Sequence, residues 1–262
     1  MTLKETQYWD AVGRVWKEDQ PDSLWRAHSD AVNSALLTRW LSDVRVENLL
    51  KTDAFDEACS EGLFELLASH AQNVISIDIS AATLSAAQHH HPDLNVAVAD
   101  VRRLPFDSAA FDVIVSNSTL DHFATLAELE ASIAELHRIL RPGGRLLLTL
   151  DNPLNPILAL RNAMPFAWLN RAGLLPYYVG ATCGQRRLRR MLQKVGFDIN
   201  ETTAVLHCPR AIAVALARTM TPGSTASRCF LKCLMFFERL SRWPTRFLTG
   251  YFTAISATRR SD

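Results

Sequence analysis

From Val44 onward, short apolar runs alternate with longer amphipathic stretches, and this alternation limits the folds open to the chain more than any other feature. Such runs form buried strands, and the stretches between them form helices that cover both faces of a parallel sheet. The predicted strands are residues 44–50, 73–78, 95–100, 111–117 and 145–151. The chain is therefore predicted to be an α/β protein.

Two helices have clear end signals. Thr125 and Glu128 match a capping box, and Pro142 prevents the helix that they begin from continuing past its predicted end. A second helix, residues 185–195, carries one apolar stripe and precedes Gly196, which tolerates a left-handed C-cap. Residues 197–205 and 251–258 are then predicted to be antiparallel closing strands that are separated by a long insertion.

The chain is expected to form one domain with a helical cap. Residues 1–42 are the predicted N-terminal cap, and residues 43–262 are the main domain, which includes a helical insertion at 206–249. The cap is rich in aromatic side chains, namely Tyr8, Trp9, Trp16, Trp25 and Trp40. They fit either core packing against the domain or a lid over a ligand site.

Charge and cysteine content exclude some classes of protein. The 28 Lys and Arg residues against 27 Asp and Glu residues give a net charge of +1, which does not favour nucleic-acid binding. Five cysteines without CxxC spacing favour a reduced, cytoplasmic compartment. The apolar runs are shorter than the roughly 18 residues that span a bilayer. The adjacent histidines at 89–91 are expected in a solvated loop, and no metal site is predicted.

Polar residues follow four of the predicted strands. Asp78 ends the second strand, Asp100 ends the third and Asn117 ends the fourth, while an acidic stretch at 53–57 follows the first. The carboxyl ends of parallel strands lie at one edge of a sheet, where helix N-termini also converge. A ligand site is therefore predicted at this edge.

The order and spacing of these segments resemble those of the class I S-adenosylmethionine-dependent methyltransferases over residues 42–205 and in the closing strand. The resemblance rests on Asp100, Leu104-Pro-Phe106, Phe111-Asp-Val-Ile-Val-Ser-Asn117 and Leu136-His-Arg-Ile-Leu-Arg-Pro-Gly-Gly144. It implies a seven-stranded, mostly parallel sheet of Rossmann-like type with an antiparallel last strand. To this sheet the chain is expected to add the helical N-terminal cap and the helical insertion before the last strand. The resemblance also implies S-adenosylmethionine as the cofactor.

The resemblance assigns cofactor-binding roles to residues at the strand ends. Asp78 would accept hydrogen bonds from both ribose hydroxyls, and Ile79 would lie against the adenine. Asp100 would accept a hydrogen bond from the adenine amine, while the Val101 amide would donate to a ring nitrogen. Asn117 would face the methionine end of the cofactor.

The first loop departs from the family pattern of a carboxylate followed by three alternating glycines. In one register these positions are Asp56, Ala58, Ser60 and Gly62, so two of the three glycines are replaced. A Cβ costs about 1 kcal/mol or more wherever φ must be positive. In a second register the strand ends at residues 51–53, and Asp53 or Glu57 binds the methionine ammonium. A solvated acidic helix start is the alternative to both registers.

Methyl transfer needs an acceptor atom held in line with the sulfonium methyl group, together with a base where the acceptor loses a proton. His122 is the predicted base because imidazole titrates near neutral pH. Asp121 precedes it, and Asp151 follows the fifth strand, so both carboxylates are expected to meet His122 above the methyl group. The alternative is a packing role for His122.

The insertion carries a clue to the acceptor. Residues 210–250 contain seven Lys and Arg residues and one Glu, interleaved with Phe230, Phe236, Phe237, Trp243 and Phe247. This pattern fits peripheral membrane contact, a homodimer interface or packing on the same domain. The sequence therefore predicts methyl transfer to a small-molecule acceptor of apolar or lipid-like character, and the alternative is a non-catalytic methyltransferase-like binding or scaffold protein. A nicotinamide dehydrogenase is disfavoured because Glu65 stands where its phosphate loop needs glycine.

Overall fold

The computed structural model describes residues 3–19, 23–171, 178–221 and 223–261, and this part of the chain contains one seven-stranded sheet. The strands are β1 Val46–Lys51, β2 Ala71–Asp78, β3 Asn95–Val98, β4 Phe111–Asn117, β5 Leu140–Asp151, β6 Phe197–Val205 and β7 Phe252–Arg259. Their order across the sheet is β3-β2-β1-β4-β5-β7-β6. Strands β1 to β5 are parallel, and β7 is antiparallel to both β5 and β6.

This architecture confirms the predicted fold class and all seven predicted strands. The largest difference is at β5, which begins at Leu140 rather than at residue 145. Leu140 pairs with Phe111, and the register then shifts before Val113 pairs with Arg145. This register shift is a bulge: the β5 residues between the two paired positions, which include Pro142, have no partner on β4. The strand can therefore continue through the turn.

The described helices are α1 Leu3–Asp19, α2 Ser23–Trp40, α3 Phe55–Cys59, α4 Phe64–Ala68, α5 Ala81–His90, α6 Leu126–Ile139, α7 Pro156–Ala163, α8 Phe166–Arg171, α9 Gln185–Val195, α10 Arg210–Ala217, α11 Thr225–Phe237 and α12 Arg246–Thr249. Helix α6 begins with the predicted capping box between Thr125 and Glu128. Helix α9 has the predicted bounds and ends at Gly196, whose φ of 117° is in the left-handed region. The end signals therefore predicted both helices correctly.

Two apolar clusters cover the two faces of the sheet. On one face, the α2 residues Leu36 and Leu37 belong to the same cluster as Leu49 of β1. On the other face, Leu136 of α6 and Leu188 of α9 pack in a cluster with strand residues. Burial of a side chain of this kind contributes roughly 2 kcal/mol, so the two clusters account for the layered arrangement.

The cap divides into two helices with different roles. Helix α2 packs on the sheet, where Trp25 and Trp40 are buried in the first cluster. Helix α1 contacts α5 and carries Tyr8 and Trp9 toward the carboxyl edge of the sheet. The side chain of Trp16 lies outside the described residues. Core packing is thus confirmed for the aromatic residues of α2 but not for Tyr8 and Trp9.

The insertion between β6 and β7 contains α10, α11, the 3-10 helix Glu238–Arg242 and α12. Both α10 and α11 pack against α2, chiefly through buried residues such as Ala213 and Leu234. Cys229 and Cys233 of α11 are exposed and do not lie on the face that packs against α2. Leu234 and Ser227 occupy that face instead.

The expectation of a solvated loop at residues 89–91 is wrong. Residues 89 and 90 form the last turn of α5 rather than a loop, and the His91 ring packs against Phe64 at 5.4 Å. No helix in the described ranges has the length and hydrophobicity that a bilayer span requires.

Candidate functional site

A cavity of about 540 Å³ lies at the carboxyl edge of the sheet, beneath α1 and α2. Its volume falls within the range of small-molecule sites. The lining contains two sets of side chains that differ in chemical character, and we call them the polar end and the aromatic end. The polar end contains Asp53, Asp56, Asp78, Asp100, Arg102 and Asn117, and the aromatic end contains Trp25, Phe166, Tyr178, Tyr251 and Phe252.

Asp78 lies at the tip of β2, and its carboxylate is held by backbone groups. One oxygen accepts a hydrogen bond from the Ser80 amide at 2.8 Å, and the other accepts one from the Ala54 amide at 3.3 Å. Burial raises the pKa of Asp78 above its ordinary value, against the opposing effect of these amides. Ile79 follows it in the lining. The carboxylate is therefore oriented by the fold before any ligand binds.

Asp100 lines the same cavity and is bound by Arg102. The Arg102 guanidinium donates to both carboxylate oxygens of Asp100 at 2.7–3.1 Å, and its amide donates to one of them at 2.9 Å. Burial opposes ionisation of Asp100, yet these hydrogen bonds lower its pKa below the ordinary value. Arg102 also donates to Glu5 of α1, so it connects the polar end to the covering helix. Val101, which lies between Asp100 and Arg102 in the sequence, also lines the cavity.

The first loop brings one carboxylate of each register, Asp53 and Asp56, to the cavity. Strand β1 ends at Lys51, and Asp53 then enters the cavity, as the second register expected. Asp53 accepts hydrogen bonds from the Lys51 ammonium at 3.0 Å and from the Thr119 hydroxyl at 3.3 Å. Burial raises the pKa of Asp53, and the charge of Lys51 opposes that shift.

Asp56 of this loop also lines the cavity, but four of the residues considered in the sequence do not. Glu57, Ala58, Ser60 and Gly62 are absent from the described lining, so each register places only its carboxylate, Asp56 or Asp53, at the cavity. Glu57 is fully buried, where it accepts a 2.8 Å hydrogen bond from Lys51 and a 3.0 Å hydrogen bond from the Leu63 amide. The structure therefore gives Glu57 an internal ion pair.

Gly62 serves this buried ion pair. Its φ is +59°, and a Cβ there would lie 2.9 Å from both the backbone nitrogen and a carboxylate oxygen of Glu57. Glycine is needed at this position for a positive φ and for close packing. The glycine retained from the family pattern thus supports Glu57 rather than facing the cavity.

Asn117 ends β4 within the polar end. Its amide nitrogen donates to Asp56 at 3.4 Å, and its carbonyl oxygen accepts from the Thr149 hydroxyl at 2.7 Å. Asp56 also lies 3.5 Å from Arg26 of α2. These contacts fix the orientation of the Asn117 amide toward the first loop.

The three predicted catalytic residues are close together, but only His122 lines the cavity. Asp121 and Asp151 are almost fully buried, and an oxygen of Asp121 accepts a hydrogen bond from the Asp151 amide at 2.9 Å. Asp151 is paired with Arg161 of α7. Burial raises the pKa of Asp151 to about 6, and the charge of Asp121 adds to the shift. Both carboxylates therefore lie behind the cavity wall, which corrects their expected position.

The geometry of His122 defines its neutral tautomer. Nδ1 lies 3.0 Å from the Tyr178 carbonyl oxygen and must donate to it, since a carbonyl oxygen has no proton. Nε2 lies 3.8 Å from an Asp121 oxygen. The Trp9 ring packs edge-on against the imidazole at 4.9 Å. In the neutral ring, Nε2 is therefore the nitrogen that can accept a proton.

The wall beside His122 is a backbone contact that tolerates no side chain. The Gly180 amide donates to the Asp121 carbonyl oxygen at 2.7 Å, and the Ala181 amide donates to the Phe123 carbonyl oxygen at 2.6 Å. A Cβ on Gly180 would lie 2.0 Å from the Phe123 oxygen. Tyr178 is held in place by this contact, and its amide donates to the Tyr8 hydroxyl of α1 at 2.6 Å.

The aromatic end was largely missed by sequence reasoning. The Phe166 and Tyr178 rings pack edge-on at 5.5 Å, and the Tyr251 hydroxyl accepts a hydrogen bond from Arg161 at 3.0 Å. Tyr8 and Trp9 also line the cavity, which supports the lid interpretation for α1. Tyr251 could have been found as an aromatic residue at a strand start, but no local signal marks Tyr178.

The donor set favours an organic ligand. Among the described residues, no group of three or more His, Cys, Asp or Glu side chains is placed to bind a metal ion. Oriented carboxylates from two neighbouring strand tips, with Ile79 and Val101 beside them, fit a sugar and a purine. This donor set therefore fits S-adenosylmethionine.

Comparisons with known proteins agree with this arrangement. A family model described as a methyltransferase domain matches residues 55–148. A protein of Mycolicibacterium smegmatis named a probable S-adenosylmethionine-dependent methyltransferase is 26% identical over 156 residues, which cover 59% of this chain and 55% of that protein. The phthiotriol/phenolphthiotriol dimycocerosates methyltransferase of Mycobacterium leprae is 27% identical over 154 residues, covering 56% of this chain and 55% of that protein. The chain thus spans about half the length of these relatives.

The fold is also found in solved structures. One is geranyl diphosphate C-methyltransferase from Streptomyces coelicolor, in complex with Mg²⁺, geranyl diphosphate and S-adenosyl-L-homocysteine. It has a TM-score of 0.54 and 15% sequence identity, and the match covers 87% of this chain and 77% of that chain. At this identity the likeness concerns the fold.

Proposed function

The chain belongs to the class I S-adenosylmethionine-dependent methyltransferases, and from this premise we propose that it methylates a small apolar or lipid-like acceptor. One observation carries the proposal: a single cavity joins oriented carboxylates at the strand tips to a set of aromatic side chains. The polar end suits a nucleoside, and the aromatic end suits an apolar acceptor.

The cofactor-binding residues in this proposal come from the polar end. Asp78 binds the ribose hydroxyls, with Ile79 beside the adenine, and Asp100 and the Val101 amide bind the adenine edge. Asp53 binds the methionine ammonium, and Asn117 lies beside it. When bound, S-adenosylmethionine supplies a methyl group on a positively charged sulfonium.

Proton removal is assigned to His122. Its Nδ1 donates to Tyr178, so Nε2 accepts the proton of an acceptor hydroxyl or amine. The buried Asp121 carboxylate, 3.8 Å from Nε2, stabilises the imidazolium that forms. Asp151 holds Asp121 through its amide and is a positioning residue rather than a catalytic one.

The acceptor class is inferred from the aromatic end and from the name of a similar protein. Trp25, Phe166 and Tyr251 offer apolar contact, and the aromatic end includes no carboxylates like those of the polar end. The relative from M. leprae is named for phthiotriol and phenolphthiotriol dimycocerosates, a lipid-like acceptor class. These observations support an acceptor of the same kind.

Two features favour the alternative, a non-catalytic methyltransferase-like binding or scaffold protein. Lys51 already pairs with Asp53, and α3 occupies the first loop where the family pattern has glycines. Both features lower the free energy available for binding a methionine ammonium. The alternative predicts that neither S-adenosylmethionine nor its demethylated product binds.

Isothermal titration calorimetry with these two ligands tests the proposal. We expect micromolar dissociation constants for both, followed by transfer of labelled methyl groups to isoprenoid or acyl acceptors. Absence of binding by both ligands would establish the scaffold alternative. Binding without transfer to any apolar acceptor would reject the proposed acceptor class.

For residues 210–250 we propose peripheral membrane contact rather than a homodimer. The segment contains one acidic residue, Glu238, whose carboxylate accepts hydrogen bonds from the amides of Leu206 and His207. An isologous dimer would bring the cationic side chains of two copies together without acidic partners.

A further inference from the structure

Large apolar side chains point into solvent along α7 and α8. Ile157 and Leu160 are each 64% exposed, and Trp168 is 72% exposed. Leu158, on the other side of α7, is fully buried, so the helix presents apolar residues both to the protein and to solvent. Contiguous exposure of this kind marks an interaction surface rather than scattered surface residues.

The exposed face of α7 and α8 continues into the insertion. The Asn152 side chain donates to the Phe247 and Gly250 carbonyl oxygens at 2.7 and 2.9 Å, and Asn155 donates to the Thr249 carbonyl oxygen at 3.1 Å. These bonds hold the start of α7 against α12. The exposed apolar residues of the neighbouring segment are Phe236, Trp243 and Leu248. We call the exposed side chains of 154–168 and 236–248 together the rim surface.

The rim surface lies in a strongly cationic part of the chain. Residues 210–250 contain seven Lys and Arg residues and one Glu, although the whole chain is nearly neutral. Within the rim surface, Arg239 and Arg242 are exposed, and the Arg239 guanidinium lies over the Phe236 ring at 4.6 Å. Glu238, beside them, is turned inward by its hydrogen bonds to backbone amides.

The rim surface also adjoins the aromatic end of the cavity. Phe166, the first residue of α8, lines the cavity. Tyr251, which comes shortly after α12 in the chain, also lines it. Arg161 of α7 donates to the Tyr251 hydroxyl at 3.0 Å. Helix α8 therefore contributes both to the rim surface and to the proposed acceptor site.

We propose that the rim surface docks on an anionic lipid bilayer and places the aromatic end of the cavity at the lipid interface. Exposed apolar side chains interleaved with arginine fit a bilayer with negative headgroups, because the apolar groups enter the acyl boundary while the cations pair with phosphate. A second copy of the chain would repel this charge, and a nucleic acid offers no apolar phase. The docking deepens the peripheral membrane contact proposed for residues 210–250, and the acceptor's route from the bilayer rests on the proposed methyl transfer.

Co-sedimentation with lipid vesicles tests the docking. We expect the full chain to bind vesicles of phosphatidylcholine mixed with phosphatidylglycerol, to bind pure phosphatidylcholine at least tenfold more weakly, and to be released by salt. Trp168→Ser and the double variant Arg239→Gln/Arg242→Gln should each reduce binding to the anionic vesicles by about tenfold or more. The parent chain, these two variants and the control variant described next are compared by circular dichroism so that misfolding is recognised.

The matched control changes arginines of α9, which packs with α6 on the other face of the sheet. Arg186→Gln/Arg189→Gln removes two exposed charges without touching the rim surface, and binding should stay within about twofold. Equal loss in this control, or no binding to anionic vesicles, would overturn the proposal. A concentration-dependent dimer that Trp168→Ser dissociates would instead assign the rim surface to a second copy.

Calorimetry on the same variants separates this proposal from the proposed methyl transfer. Trp168→Ser should bind S-adenosylmethionine as the parent chain does, because Trp168 does not line the cavity. Vesicle binding without cofactor binding would leave the docking intact and reject the proposed methyl transfer. Cofactor binding without vesicle binding would reject the docking and leave the proposed methyl transfer intact.

Discussion

Arg102 holds the carboxylate of Asp100 through its guanidinium and its amide, at 2.7–3.1 Å, and the same guanidinium donates to Glu5 of the covering helix α1 at 3.2 Å. Arg102 therefore orients Asp100, which is proposed to bind adenine, and also links α1 to the polar end of the cavity. Bidentate arginine–carboxylate pairs of this kind fix geometry as well as charge.

Replacing Arg102 should therefore weaken cofactor binding. In Arg102→Met the Asp100 carboxylate loses its orientation and α1 loses its link to the polar end, so we expect the dissociation constant for S-adenosylmethionine to rise about tenfold. Calorimetry measures the change. Arg103→Met is the control, since Arg103 is exposed and does not line the cavity. An equal loss in both variants would contradict a specific role for Arg102.

Asp78→Asn should cost on the order of 2 kcal/mol in cofactor affinity, because an amide cannot accept two charge-assisted hydrogen bonds from ribose hydroxyls. The near-isosteric change retains an acceptor for the Ser80 amide, which limits structural damage. Asp93→Asn, at an exposed position, is the control. Unchanged calorimetric affinity in the Asp78 variant would reject the ribose assignment.

His122→Gln separates the proposed base from a binding residue. Loss of a general base should lower the turnover rate about a hundredfold, while the dissociation constant for S-adenosylmethionine stays within about threefold. Single-turnover transfer of labelled methyl groups and calorimetry provide the two readouts. A variant with normal turnover would leave His122 a packing residue of the cavity wall, held by Trp9 and Tyr178.

Gly180→Ala should displace the wall of the cavity. The added Cβ would lie 2.0 Å from the Phe123 carbonyl oxygen, so the backbone must separate and lose two hydrogen bonds at about 3 kcal/mol in total. We expect a lower melting temperature and at least tenfold slower methyl transfer. Gly184→Ala is the matched control because nothing lies within 4 Å of its Cβ position. Comparable melting curves for both variants would show that the contact at Gly180 is not structural.

His28 makes stability depend on pH. Burial lowers the pKa of its imidazole from 6.5 to about 4, so between these values the unfolded chain binds a proton that the folded chain does not. Stability contributed by the neutral ring is therefore present above pH 6.5 and is lost as the pH falls toward 4. Urea unfolding at several pH values should show a loss on the order of 2 kcal/mol.

The pH dependence should be smaller in His28→Gln and unchanged in His89→Gln, whose side chain is exposed. His28 accepts from or donates to the Cys208 thiol at 3.3 Å, and burial raises the pKa of that thiol to about 12, so the cysteine stays neutral over the same range. A loss of stability that is identical in all three proteins would assign it to other groups.

Local patterns were enough to predict the secondary structure. The strand 111–117 and the helix 185–195 have the bounds that apolar periodicity and end signals indicated. The capping box at Thr125 formed because both of its hydrogen bonds are local. Prediction was poorer at the turn containing Pro142, where pairing of Leu140 with Phe111 extended β5.

The site was only partly predictable. Asp53, Asp78 and Asp100 could be placed at one edge because parallel strands end there. The inward turn of Glu57 depends on Lys51, a fully buried cation that requires paired carboxylates, and spacing along the chain does not reveal this. Asp121 and Asp151 meet as expected, but the packing of 178–181 against them puts them behind the wall.

The sequence by itself determined the alternation of strands and helices, the order of the carboxylates along the chain and the resemblance to a methyltransferase, because these depend on hydrophobic periodicity and on residues close to one another. Only the tertiary structure decided which carboxylates face the cavity, which aromatic side chains complete it and which helix face remains in solvent. Those choices arise from contacts between residues far apart in the chain, such as Tyr8 with Tyr178 and Asn152 with Phe247, and no local pattern encodes them.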